Sequence, residues 1–385
     1  MIIENLQLII EKEIKSVFAL ILFSIMFIAA DTFAQEAEQS TFIDTLDNHV
    51  DLSNYLLNLH GFFPVVSPIT EPAVGYGAAV AGLFFIPKEK NENKPFQMPD
   101  IVGFAGGLTE NGTWFAGGGY AGFWNDDKIR YRGVAGYGNV NLQYYGSGIL
   151  EDYSMDFTLN SYLFLQQAIF RLGDSRFFLG GKYQLSKTTV SILGESKLPV
   201  PPERDFDLTN SGIGAIAEYE SFNNILSPTK GLRVNLTYDQ YLKVIGSDRD
   251  FGLLTFFTHF YLPICSSWTS GFRIESQLST GDVPFYMSPY IKLRGVPVMR
   301  YQGDMTALVE TEQLFMLSSR WGVLGFAGVG KTYNYDNDNE LSAWNVGGGF
   351  RYLVARLLGL KMGIDVAHGP EDWAVYVVFG SSWLK

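Results

Sequence analysis

The sequence predicts an all-β protein, a transmembrane antiparallel β-barrel of sixteen strands with one extracellular loop folded back into its lumen. Three observations lead there. Most of the chain alternates apolar and polar residues with a period of two. Composition suits strands: aromatics make up 15% and charged residues 18%, with 41 Gly, 21 Tyr and 30 Phe. No segment after the N-terminal leader has the uninterrupted apolar run of a transmembrane helix, and an exported, hydrophobic chain without such helices can cross a bilayer only as a closed barrel.

At the N-terminus, Lys12 and Lys15 precede the apolar run Val17 to Ala30, which ends in Thr32-Phe33-Ala34. This is the pattern of a cleaved signal peptide over 1–34. Glu4, Glu11 and Glu13 are unusual in such a leader, and the alternative is an uncleaved anchor. No cysteine follows the run, which argues against a lipid anchor. The expected location is the bacterial outer membrane, with its lipids as the surrounding partner. Residues 35–66 form a short periplasmic segment in which Phe42, Leu46, Val50, Leu56 and Leu59 are spaced loosely among acids and amides. Too short to fold alone, it is either a lead with a short helix at the barrel base or a linker. The barrel domain is expected over 67–385.

Within it, period-two runs fall near 74–86, 100–109, 113–124, 128–140, 155–171, 175–191, 211–221, 231–243, 251–262, 267–280, 305–319, 322–334, 343–354, 358–367 and 372–383. Leu232, Val234, Leu236 and Tyr238 share one face of a strand while Arg233, Asn235, Thr237 and Asp239 share the other; one face suits lipid and the other water. Single-chain bacterial barrels have even strand numbers, so one more strand is expected, placed between Asn139 and Phe170, giving sixteen, with fourteen as the alternative. Glu110-Asn111-Gly112 and Asp126-Asp127 suit hairpin turns, and Lys88 to Pro99 and Leu193 to Leu208 suit longer loops.

The charge of −12 excludes a nucleic-acid binder, because there is no basic footprint to neutralise phosphates. A single cysteine, Cys265, excludes an internal disulfide and a cysteine metal cluster. Gly325 to Thr332 spells G-x-x-x-x-G-K-T, but a phosphate loop needs a helix after the glycines, and turn residues follow instead. Its glycines suit the close approach of a loop to the wall. No H-E-x-x-H or G-x-S-x-G pattern is present, so no catalytic, metal or cofactor site is expected and the chain is read as a non-enzyme. His259 is the one residue that an outer-membrane hydrolase could use. Trp114, Trp124, Trp268, Trp321, Trp373 and Trp383 read as interface girdles. Arg233, Arg273, Glu275, Glu310, Glu312, Lys331, Arg351, Lys361 and Asp365 read as the lumen face. An arginine carried into that lumen by a loop requires a carboxylate.

Three stretches carry a family resemblance: Ser67-Pro68 to Gly77, the turn Asn223-Asn224-Ile225-Leu226-Ser227-Pro228-Thr229-Lys230-Gly231, and Lys292-Leu293-Arg294-Gly295 through Arg300 to Glu312. With these the chain resembles the BamA/TamA surface-antigen superfamily of outer-membrane barrels. The resemblance implies sixteen strands, a closing seam between the first and last, and a loop lock of Arg294 and Gly295 against Glu310 or Glu312. It departs where family members often carry an aspartate at the position of Gly328 and an arginine at that of Leu314. It implies insertion by the barrel-assembly machinery, which reads a terminal aromatic; here Trp383 is followed by Leu384 and Lys385. Receptor (POTRA) domains have no room in 35–66, so a role in transport, membrane organisation or assembly would need a separately encoded periplasmic or surface partner. The alternatives are a passive pore or a surface-binding barrel.

Overall fold

The computed structural model describes residues 42–57, 62–86, 88, 99–145, 154–193, 206–335 and 340–383. The signal peptide expected over 1–34 lies outside them. Two units divide the chain at Tyr55 and Leu56. In the first, Ile43 bridges Val50 across a turn closed by the Asn48 N–H donating to Asp44 O at 2.8 Å. The short helix α1 (Ser53–Leu57) follows, its Ser53 N–H held by Asp51 Oδ1 at 2.6 Å.

The second unit is one sheet of sixteen antiparallel strands in chain order: β1 (Phe62–Ile69), β2 (Gly77–Ile86), β3 (Asp100–Thr109), β4 (Trp114–Trp124), β5 (Ile129–Tyr145), β6 (Ser154–Arg171), β7 (Phe177–Leu193), β8 (Phe206–Glu220), β9 (Gly231–Tyr241), β10 (Phe251–Cys265), β11 (Trp268–Gly281), β12 (Met305–Met316), β13 (Trp321–Tyr333), β14 (Ser342–Ala355), β15 (Leu360–His368) and β16 (Trp373–Phe379). The end where β1 begins and β16 ends carries short turns such as 125–128 and 266–267 beside the longer connections 87–99 and 221–230; the opposite end carries the longest connection, 282–304.

All fifteen period-two runs are strands, and the sixteenth is not where it was expected. Among the described residues the stretch from Asn139 to Phe170 holds only the long β5 and β6, and the additional strand is β1, which starts inside the segment read as a lead and ends beyond it at Ile69. Pro64 and Pro68 hid it, because proline marks a strand only at a sheet edge. Backbone parity shows why β1 tolerates them. Glu110 N–H donates to Tyr76 O at 2.8 Å, so Gly77, Ala79, Ala81 and Leu83 of β2 turn their backbone groups towards β1. Their partners Ile69, Ser67, Val65 and Phe63 return those bonds. Phe62, Pro64, Val66 and Pro68 therefore face the open edge, where no donor is required.

That edge meets β16. The Thr70 hydroxyl donates to Val375 O, but no ladder of paired residues joins β1 to β16 among the described residues. The two prolines withdraw half of the donors that β1 could offer there. The barrel is therefore nearly closed, with a weak seam between its first and last strands.

The turn 221–230 explains the paired asparagines in physical terms. Asn223 Oδ1 accepts from Thr229 N and Lys230 N, each at 3.0 Å, and Asn224 Oδ1 accepts from Leu226 N and Ser227 N at 2.9 and 2.8 Å. Gly231 ends it at φ +118°, where a Cβ would lie 2.4 Å from Ser221 O. Two carboxamides thus satisfy the turn backbone that no strand can reach.

Candidate functional site

The connection between β11 and β12 re-enters the lumen as a narrow hairpin. Ile291 N–H donates to Tyr301 O and Gly303 N–H to Pro289 O, both at 3.0 Å, and Tyr290 bridges Gln302. Its tip buries Ile291, Leu293 and Val296 with Tyr301, Leu308 and Ala343. Glycines in β13 admit it: a Cβ on Gly330 would lie 2.6 Å from Ile291 Cγ2, and one on Gly328 would lie 3.0 Å from Leu293 Cδ2. Gly325 to Thr332 lies wholly inside β13, so the phosphate-loop spelling is strand and its glycines serve this approach.

Arg294 stands at the tip and meets three carboxylates. Its Nε and Nη2 donate to Glu310 Oε1 at 3.1 and 3.0 Å, and Nη1 donates to Glu312 Oε2 at 3.1 Å and to Asp365 Oδ2 at 2.7 Å. Phe326 lies beneath the guanidinium, 3.5 Å from ring centre to Cζ. Gly295, at φ +79°, turns the tip so that its N–H donates to Tyr376 Oη on β16 at 2.9 Å. The structure thus brings Arg294, Gly295, Glu310 and Glu312 together, and both glutamates contact the arginine.

Sequence reasoning placed Asp365 in the lumen but did not pair it with Arg294. The contact crosses from β12 to β15 and exists only once the sheet has curved. β13 offers no carboxylate at Gly328, where a Cβ would already lie 2.7 Å from Asn345 Oδ1. Asp365 also holds Arg351, at 2.5 and 3.0 Å.

Glu310 is the hub of the cluster. It is fully buried and accepts from Arg294, from Arg273 Nη1 at 3.3 Å, from Asn345 Nδ2 at 3.1 Å and from Trp383 Nε1 at 2.7 Å. Trp383 is therefore not a girdle residue. Beyond β16 the chain turns at Gly380 (φ +77°), Ser381 N–H donates to Leu226 O at 2.7 Å, and Trp383 enters the lumen 3% exposed. Ser382 Oγ donates to Glu312 Oε2 at 3.0 Å. Trp114, Trp124, Trp321 and Trp373 are exposed on the outer face as expected, and Trp268 stacks there on Phe315 at 5.2 Å. Lys331 also departs from expectation: it shares strand parity with the exposed Val329 and pairs with Glu340 outside the lumen.

Chemically, these carboxylates are saturated by fixed cations and donors and buried from solvent, which suits a latch and leaves no free group for acid–base work. His259 is buried and stacked on Phe257 at 4.9 Å, with Trp383 at 5.7 Å. No cluster of three metal-ligating side chains occurs among the described residues.

A second tie lies at the seam. Glu71, in the loop between β1 and β2, accepts from Val298 N–H of the hairpin at 3.2 Å. Burial pushes its carboxyl above the ordinary range, and the Val298 and Ala73 N–H groups offset only part of this. A raised folded-state value means that the folded protein binds the proton more tightly than the unfolded chain. This contribution is complete below the ordinary glutamate range and is lost as pH rises through the elevated value. Glu71→Gln keeps the acceptor and removes the charge, so it is expected to raise the unfolding midpoint slightly at neutral pH and to flatten its dependence on pH above the ordinary glutamate range. Melting curves recorded upward from that range check this.

No family model matches the sequence, and no curated protein matches it. Solved structures do. BamA from Haemophilus ducreyi lacking POTRA domains 1-3 superposes with a TM-score of 0.56 at 12% identity, over 84% of this chain and 70% of that one. CdiB from Escherichia coli gives 0.56 at 12% over 84% and 62%, and CdiB from Acinetobacter baumannii gives 0.55 at 10% over 83% and 60%. The chain thus spans about three fifths of the CdiB structures. These likenesses show the fold, a sixteen-stranded barrel of the kind found in BamA and CdiB.

Proposed function

We propose that this chain is an integral outer-membrane barrel acting in transport, membrane organisation or assembly with separately encoded partners, and that the Arg294 hairpin is its removable plug. The observation that carries the reading is Arg294 held by Glu310, Glu312 and Asp365 inside a barrel whose terminal strands share no ladder. The outer face supports membrane placement, since Trp124 and Trp321 stand at the end where β1 begins, Trp114 and Trp373 at the other, and Val80, Phe104, Leu179, Leu236 and Ile274 are exposed on strands between. The end where β1 begins and β16 ends, which carries most of the short turns, then faces the periplasm.

A latch made of charge pairs suits a plug that must leave. Its charge pairs fix the tip beside the apolar contacts of Ile291, Leu293 and Val296, so a partner that competes for Arg294 or draws apart the seam would weaken the hold. Planar-bilayer conductance tests the plug. Wild-type protein is expected to give rare, small openings, and deletion of 289–303 to give steady, large ones. Steady conductance by the wild type would leave a passive pore and overturn the plug.

A further inference from the structure

The inner wall changes character around the barrel. From β8 to β15 it is polar and charged, with Glu218, Asp239, Arg273, Glu310, Arg351 and Asp365 buried along it. From β1 to β6 the register aligns Val65, Ala81, Ala105, Gly117, Gly136 and Leu163 in one row across six strands. This row faces inward, because Leu142 and Phe157, which share its parity on β5 and β6, pack with Met299 and Phe285 of the hairpin. The registered rows on either side also carry no charged residue.

A water-filled lumen is normally lined by polar side chains. Here Phe115 and Leu163 are 38% and 46% exposed on the inner wall, so the hairpin does not cover it. An uncovered apolar surface of this kind marks a binding site, and its glycines and alanines let an occupant lie close to the backbone.

Two features identify the occupant. The wall begins at β1, on the seam that lacks a ladder, where the apolar Val66 and Val375 are exposed on the outer face of the two terminal strands. At the end where β1 begins and β16 ends it runs into a cavity of about 790 Å³ lined by Lys88, Arg130, Arg171 and Arg176 together with Asp126, Asp127 and Glu220, and Arg132 stands beside that cavity on the wall. Asp127 and Glu220 already hold Arg130, and Asp127 also holds Arg171. Arg132, two residues along β5 from Arg130 and exposed, has neither a salt bridge nor a side-chain hydrogen bond among the described residues, and Arg176 is likewise without one. Glu218, which acts on Arg132 across the lumen, is taken by Arg233 at 3.0 Å. An apolar wall ending at unpaired arginines matches an amphiphile with an anionic head.

We propose that the inner wall of β1 to β6 binds an anionic phospholipid of the surrounding membrane, with its acyl chains along the Val65 to Leu163 row and its phosphate at Arg132. This rests on the membrane reading above and adds to it a lipid inside the lumen. The test uses the full chain in vesicles of radiolabelled phosphatidylglycerol, with p-benzoylphenylalanine placed either at Leu163 on the inner wall or at Leu179, which is 47% exposed on the outer face.

Both positions are expected to crosslink to lipid on illumination. Arg132→Ala is expected to lower the Leu163 yield about tenfold, the weight of one charge-assisted pair, while leaving the Leu179 yield unchanged. Crosslinking at Leu179 alone overturns the inference and leaves the membrane reading standing. Crosslinking at neither position overturns both. A Leu163 product joined to residues 1–41 of the same chain assigns the wall to that segment and overturns the lipid site. A Leu163 yield indifferent to Arg132→Ala overturns the phosphate anchor and with it the specificity for anionic lipid.

Discussion

Glu310→Ala is expected to be the most damaging single change in the lumen. The carboxylate is fully buried and accepts from Arg294, Arg273, Asn345 and Trp383. Removing it strips Arg294 Nε and Nη2 of their acceptor and leaves Arg273 with Glu275 as its carboxylate, while Glu312 and Asp365 still hold Arg294 Nη1. Breaking a buried pair by deleting one member costs about 3–5 kcal/mol, and the partners that remain set the loss at the lower end of that range. Glu310→Gln is the informative control. It retains one acceptor oxygen but turns the amide nitrogen either on the Arg294 and Asn345 donors or on the Arg273 and Trp383 donors, so one side loses its acceptor. The unfolding midpoint, followed by the mobility shift of folded against boiled protein, should fall furthest for Glu310→Ala, less for Glu310→Gln, and not at all for the outward Lys331→Ala. Equal midpoints for Glu310→Ala and wild type would show that the cluster does not hold the fold.

How much of this was legible follows from what each feature depends on. The alternation of Leu232 to Asp239 depends only on neighbours in sequence, so β9 could be read directly and is present as Gly231–Tyr241. β1 contradicts its own local signal: Pro64 and Pro68 forbid a central strand, and only knowing that this segment is an edge with one partner makes it acceptable. The carboxylates Glu310 and Glu312 were readable because they follow Arg294 closely in the chain. Asp365 was not readable as their companion, because its distance to Arg294 is set by curvature accumulated over β12 to β15. The gap at Gly328 was visible only through the family resemblance, and Asp365 as a further partner only in the fold. The inward turn of Trp383 left one faint signal, the small residues Gly380-Ser381-Ser382 before it, which let the chain bend sharply but do not say which way.

That turn carries the second large prediction. Trp383 is 3% exposed, its rings lie 5.7 Å from His259 and 5.6 Å from Tyr261, and its indole N–H is bound to Glu310. A Cβ on Gly271 would lie only 3.1 Å from it, so that glycine makes room for the indole. Truncating a buried tryptophan costs about 3–5 kcal/mol, and here it also strips one donor from the hub carboxylate. Trp383→Ala is therefore expected to lower the unfolding midpoint nearly as far as Glu310→Ala. Trp383→Phe should recover the packing and lose only the hydrogen bond, about 1–3 kcal/mol. The more telling readout is conductance. Trp383 and Arg294 bind the same carboxylate from different segments of the chain, one continuing β16 at the seam and the other on the plug. Loosening the tail should therefore loosen the plug, so Trp383→Ala is expected to increase the frequency of openings although residue 383 lies outside the hairpin. If the midpoint falls while openings stay as rare as in the wild type, the tail supports the fold without communicating with the plug.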